Sequence, residues 1–258
     1  MIRELAENPN VHQPLSAGRE LVVDPEGRFA IYLHPRMGPH GATVQRVRLA
    51  ADEVVPAVEE IRAILRARGR NGAEWELGES CTPLDLVERL AALGILPDED
   101  EPVAAGMVLP AGTEIMVPAG TSARPVASVD ELVTARRIQH EAFGGKAEEA
   151  EFAQAEADFA TEGRDGSTFL AFVDGEPVAA AYASYTPFGI LLFGGATLPS
   201  ARGRGAYRAL VAARAREAAA QGLPAVVPGA GQMSRPILER LGFTAVARID
   251  RLLDVLPA

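Results

Sequence analysis

The stretch Gly194-Gly-Ala-Thr-Leu-Pro-Ser-Ala-Arg-Gly-Arg-Gly-Ala-Tyr-Arg-Ala-Leu210 decides how the chain folds. The apolar residues Ile190 to Phe193 run into it and read as a strand. An amphipathic helix leaves it at about Gly205. The first turn of a helix carries backbone N–H groups with no partner inside the helix, and the helix dipole adds partial positive charge there. Gly203 and Gly205 remove side chains that would keep an anion away. The N–H groups from Gly203 through Arg204, Gly205, Ala206 and Tyr207 to Arg208 can therefore cup a pyrophosphate. Arg202 and Arg204 add charge at the rim, and Arg208 follows one helical turn on. The loop has no Gly-Lys-Ser/Thr of a P-loop and is not a full dinucleotide-binding fingerprint.

Around this loop the chain alternates strand-like and helix-like stretches, which predicts an α/β (α+β) fold. On its C-terminal side the pattern predicts a strand at Ala225–Val227, a helix over Ser234–Leu241 and a final strand or hairpin over Phe243–Val255. On its N-terminal side it predicts a strand at Pro125–Val129, helices over Asp130–Phe143 and Ala147–Thr161, and strands at Thr168–Val173, Val178–Tyr185 and Gly189–Leu198. A Pro- and Gly-rich stretch, Pro110 to Ala123, separates this region from the first part of the chain, with Glu114–Val117 a short strand inside it. The division is thus 1–118 and 119–258. The first part predicts strands at Arg19–Val23, Arg28–Leu33, Val44–Leu49 and Glu74–Leu77. It also predicts a helix over Asp52–Arg68 and a second from Thr82-Pro83, with Thr82 as N-cap, to Leu93.

Two motifs carry a resemblance. The loop segment resembles motif A of the GNAT superfamily, Q/R-x-x-G-x-G/A, with Arg202 and Gly205 in its first and fourth positions and Tyr207 in place of the last Gly/Ala. Ser234-Arg-Pro-Ile-Leu-Glu-Arg-Leu-Gly-Phe243 resembles motif B, which closes on Leu-Gly-Phe. The resemblance implies a GNAT-like mixed β-sheet flanked by helices in residues 119–258. It implies acetyl-CoA or another acyl-CoA as co-substrate, with no metal. The strand ending at Thr197 and Leu198, with Gly195 before it, would offer backbone groups to the pantetheine arm. The activity implied is transfer of an acyl group to a primary amine of a small molecule or a protein N-terminus. The usual acid of the family, a tyrosine in motif B, is replaced by Leu238. Ser234 and Tyr207 are then the candidate acids. Glu141, beside His140, is the candidate base, with Tyr182 and Tyr185 as further candidates. The missing tyrosine keeps a second reading open, a catalytically silent acyl-CoA-binding sensor or scaffold.

The first half repeats the order of the second: a helix ending in Gly, a short strand, and a short helix ending in Leu-Gly plus an apolar residue. Either this is a diverged duplication, making 1–118 a smaller, degenerate GNAT-like domain, or it is general α/β grammar. Before the Asp52 helix stands Arg48-Leu-Ala-Ala-Asp-Glu53, with no glycine and two acids, so this half has no phosphate loop.

The bulk properties narrow the rest. A net charge of −10 argues against nucleic-acid binding. No run of about 18 apolar residues is present to span a membrane. A single cysteine, Cys81, excludes an internal disulfide and points to a cytoplasmic setting. The four histidines show no metal-ligand spacing. An oligomer is compatible with the sequence.

Overall fold

Three antiparallel strands, a helix and a strand parallel to the third recur twice along the chain. The computed structural model describes residues 1–15, 18–35, 38–144 and 153–256. Helix α1 (Ile2–Glu7) comes first. Strands β1 (Glu20–Val23), β2 (Ala30–Leu33) and β3 (Ala42–Gln45) then form an antiparallel run. Helix α2 (Val54–Ala67) leads to β4 (Gly72–Gly78), which lies parallel to β3. Helix α3 (Leu86–Ala92), the two-residue β5 (Leu96–Pro97) and β6 (Val103–Pro110) complete the first half.

The second half opens with β7 (Thr121–Pro125), α4 (Val129–Phe143) and α5 (Ala155–Phe159). Strands β8 (Gly166–Val173), β9 (Glu176–Thr186) and β10 (Gly189–Thr197) are antiparallel. Helix α6 (Ala206–Ala220) leads to β11 (Ala225–Ala230), parallel to β10. Helix α7 (Arg235–Arg240) and β12 (Thr244–Val255) follow. The shared order establishes the repeat at the level of fold.

All the strands join one mixed sheet, ordered β1-β2-β3-β4-β12-β6-β11-β10-β9-β8-β7, with β5 beside β12. The two halves exchange their last strands. β6 bonds to β11 of the second half, β12 bonds to β4 of the first, and β6 and β12 bond to each other. An ion pair locks the exchange: Arg62 of α2 donates to both carboxylate oxygens of Asp254 on β12, at 3.0 and 2.9 Å. Asp254 is fully buried.

One face of the sheet carries two apolar clusters. In the first half, Val58, Ile61 and Leu65 of α2 pack on Ile31, Val44 and Trp75. In the second, the alanine-rich α6 lies close on Ala179, Ala181, Ile190 and Val226. On the other face, α1 places Leu5 and Ala6 on Leu191, Ala225 and Val227, and α4 places Leu132, Ala135 and Ile138 on Leu170 and Ala180. α4 starts at a complete cap, with Glu131 N–H donating to Ser128 Oγ (3.2 Å) and Ala127 N–H donating to the Glu131 carboxylate (2.7 Å).

Several expectations shift. Residues Glu114–Val117 form no strand. Ile115 and Val117 instead pack against the α6 cluster. The strand expected at Pro125–Val129 lies at Thr121–Pro125, because Ser128 is already a helix cap. Thr82 caps no helix. Its hydroxyl donates to Leu49 O (3.1 Å), and α3 begins three residues after Pro83. β6 was not expected at all. Of the helix expected over Ala147–Thr161, residues 147–152 lie outside the described residues and Ala155–Phe159 is helical. Trp75 is core, and burial pushes the Cys81 thiol up to about 11, so it is not a reactive thiolate.

The histidine spacing also missed a cluster. His40, Glu74 and Asp98 bring donor atoms within 4.8 Å of one another. Arg251 already pairs with Glu74 and with Glu101. Next to Glu74, burial raises the Glu76 carboxyl above its ordinary value, and the Glu74 charge adds to the rise. A raised carboxyl holds its proton more tightly in the folded chain. Its contribution therefore favours folding at acid pH and is lost as pH rises through the folded value.

Replacing Arg62 with Met leaves a buried, unpaired Asp254 and should lower unfolding free energy by about 3 kcal/mol, read from urea denaturation. Glu76→Gln should raise the melting temperature at pH 8 and leave it unchanged at pH 4, read by scanning calorimetry at the two pH values.

Candidate active site

The site begins with a break in the sheet. β10 keeps register with β9 from Gly189 to Phe193, opposite Thr186 to Tyr182, and resumes it with Ala196 opposite Ala180. Gly194 and Gly195 together face the single residue Ala181, which is a β-bulge. Gly194 has φ +58, and its carbonyl accepts a hydrogen bond from Gln139 Nε2 of α4 at 2.9 Å. On the opposite side Gly195 meets the Tyr207 ring, where an added Cβ would come within 2.8 Å of Cε2. The bulge is thus held from one face by α4 and from the other by α6. β10 pairs with β11 only over Ile190–Leu192, so the two parallel strands are unpaired beyond the bulge.

A cleft of about 580 Å³ opens at this point. Its walls are the bulged end of β10, the loop and first turn of α6, the end of α4, and α7 with the turn before it. Gly195, Thr197, Arg202, Gly203, Gly205, Ala206, Tyr207, Arg208 and Ser234 all line it. Three predicted residues lie off the lining. Arg204 is exposed and pairs with Asp174 at 2.6 Å. Leu198 packs against the α4 cluster, and its N–H is taken by Val178 O. Glu141 is exposed on α4, while its neighbours Ala142 and Phe143 face the cleft.

Helix α6 has no side-chain cap. Its N-cap is Gly205 at φ +93, so the first-turn amides open into the cleft. Among the described residues, Arg202, Arg208 and Arg240 line the cleft and no acidic residue does, in a chain of net charge −10. An uncapped helix N-terminus ringed by arginines fits a phosphate-bearing ligand. In the first half the matching turn is closed from within: Ala50 N–H donates to the Glu53 carboxylate at 2.7 Å just before α2.

Ser234 occupies the N-cap position of α7 without capping it. Its hydroxyl donates to Gly231 O at 3.4 Å, and its side chain lines the cleft. Tyr207 lies on the cleft floor, and burial raises its phenol. Leu238, where the family tyrosine would stand, is fully buried in the core. Tyr182 and Tyr185 fall on opposite faces of β9. Tyr185 packs with the α6 cluster and donates to Ser167 Oγ (2.8 Å), while burial pushes the Tyr182 phenol up to about 12.

Reading by sequence missed Arg240, Gln139, Phe143, Met233 and Ile237. Arg240 and Ile237 lie within the motif B stretch, so their neighbourhood was legible. The other three come from segments that only folding brings to the bulge.

Residues 129–243 match the family model described as Acetyltransferase (GNAT) family. No curated protein sequence matches the chain. Among solved structures, a GCN5-related N-acetyltransferase from Kribbella flavida is similar over 98% of this chain and 95% of its own, at TM-score 0.74 and 23% identity. A GCN5-related N-acetyltransferase from Sphaerobacter thermophilus is similar over 95% of this chain and 83% of its own, at TM-score 0.65 and 18% identity. A tandem GNAT protein from the clavulanic acid biosynthesis pathway is similar over 100% of this chain and 88% of its own, at TM-score 0.63 and 17% identity. The fold is therefore GNAT-like over nearly the whole chain, and residues 129–243 are the part that matches the acetyltransferase family model.

Gly205 marks where the loop tolerates least. Its φ of +93 disfavours any Cβ, and an added Cβ would meet Pro118 Cγ at 2.6 Å. Gly205→Ala should lower stability by about 1–2 kcal/mol or more, measured by chemical denaturation.

Proposed function

We propose that this chain, with its GNAT acetyltransferase domain, is an acyl-CoA-dependent N-acyltransferase. It uses acetyl-CoA and acts on a primary amine of a small molecule or a protein N-terminus, in the cytoplasm. Residues 119–258 bind the co-substrate, and residues 1–118 serve as packing partner and wall of the acceptor side. The observation that carries the reading is the coincidence, in one cleft, of a strand bulge, an uncapped helix N-terminus and three arginines, with no acid among the described lining residues.

The pyrophosphate is received by the amides of Gly203 to Arg208, with Arg202, Arg208 and Arg240 supplying charge. The backbone at Gly195 and Thr197, which has no strand partner on the β11 side, holds the pantetheine and places the thioester at the bulge. Backbone N–H groups there stabilise the oxyanion as the amine attacks. Tyr207 or Ser234 protonates the departing thiolate. Glu141 is too exposed for a strong case as base, and solvent can take the amine proton once the reactants are aligned.

The burial of Leu238 in place of a tyrosine favours a second reading, a cofactor sensor without turnover. Calorimetric titration with acetyl-CoA tests the site. Arg202→Glu leaves the exposed loop backbone free of strain and should weaken binding about tenfold or more, about 1.4 kcal/mol. Absence of binding to the wild type would remove both readings. Binding without acetylation of any of a panel of amines would leave the sensor.

A further inference from the structure

Arg214 is charged, 1% exposed, and paired with no carboxylate among the described residues. Its hydrogen bonds go to two carbonyls. Nε donates to Leu210 O at 3.1 Å and Nη1 to Tyr182 O at 3.3 Å. A buried cation without a counter-ion is expensive, and a helix packed mostly through alanines has no packing need for it. Burial accordingly lowers its guanidinium to about 10, against an attraction from Tyr207 that raises it.

Its position gives the charge a use. Tyr182 is the β9 residue opposite Phe193, the last pair before the register breaks at Gly194–Gly195. Tyr207 stands two turns earlier on α6, with its ring against Gly195. The guanidinium therefore lies under the sheet at the bulge, on the α6 side, within electrostatic reach of the Tyr207 phenol. Gln139 holds the same bulge from the other face.

We infer that Arg214 is a positioning residue for acyl transfer: it anchors the strand beside the bulge and holds a fixed positive charge beside Tyr207, so that Tyr207 can give up its proton. The inference rests on the acyltransfer reading above. In the step concerned, the amine nitrogen forms a bond to the acyl carbon and its proton passes to solvent. The C–S bond breaks, and the thiolate takes the Tyr207 proton. The phenolate left behind is stabilised by Arg214 and recovers a proton from solvent. The cation opposes the effect of burial, which otherwise makes the phenol a weaker acid.

The test compares Arg214→Gln, which keeps N–H donors but drops the charge, with Arg214→Lys, which keeps a charge. Arg214→Met is a second neutral variant should the glutamine form fail to fold. Steady-state rates are read from about pH 7 to about pH 12, and tyrosine ionisation is followed over the same range by ultraviolet difference spectra, with Tyr207→Phe identifying the Tyr207 signal. The neutral variant should lose about tenfold or more in kcat with KM for acetyl-CoA within about threefold. Its alkaline limb and Tyr207 midpoint should both move to higher pH, and the lysine variant should stay near wild type. An unchanged Tyr207 midpoint in a folded neutral variant overturns the inference. So does an equal loss in the glutamine and lysine variants with an unmoved pH profile. The spectroscopic arm needs no turnover, so failure of the acyltransferase reading and failure of this inference are told apart.

Discussion

Each half of this protein, built alone from its own first strands, ends on an exposed edge. β4 closes the parallel pair of the first half, β11 that of the second, and a sheet edge with free N–H and C=O groups is unstable in isolation. The chain satisfies both edges by exchange, with β12 on β4 and β6 on β11. The Arg62–Asp254 pair makes the exchange specific, because Asp254 arrives from the other end of the sequence and is buried only if Arg62 meets it. The site depends on this arrangement. β6 braces β11 from the side away from β10, so β10 and β11 can part beyond Leu192 without unravelling the sheet.

The two halves also show how one backbone plan gives different chemistry. Both carry a helix after their third strand. Ahead of α2, the Glu53 carboxylate occupies an amide of the turn, so the anion is built in. At α6 the cap is Gly205, with no side chain to compete, and arginines replace the acid. On the reading proposed above, the second of these turns receives the anionic ligand. That a chain of net charge −10 presents an arginine-lined cleft without an acid among the described residues follows from local placement, and the global charge says nothing of it.

Catalytic groups are sparser than binding groups. The cleft supplies dipoles, charge and shape from residues with firm supports: Gln139 on one side of the bulge, Tyr207 and Arg214 on the other. Among the described residues, the candidate proton-transfer groups on the lining are Tyr207 and Ser234, neither placed where motif B usually keeps its tyrosine. On the proposed reading such a site works chiefly by holding reactants in line, and the buried cation then acts on the Tyr207 phenol.

The sequence by itself determined the glycine-rich loop at 203–205, the strand before it and the helix after it, and the motif B helix. Those depend on residue type and short spacing: glycines at 203 and 205, a 3.6-residue period over α2, and the continuous apolar run Ile190–Phe193 of β10. It could not determine β6, whose Val-Ala-Ala-Gly-Met has weak strand propensity and becomes a strand because β11 and β12 leave a gap of one strand's width. It could not place Arg240 and Phe143 at the cleft or Gln139 at the bulge, since α7 and α4 meet the end of β10 only in three dimensions. Arg214 reads in the sequence as one more charge on an amphipathic helix. Only the tertiary structure shows it buried without a carboxylate, because solvent exposure and partners are properties of the packed sheet and helix together.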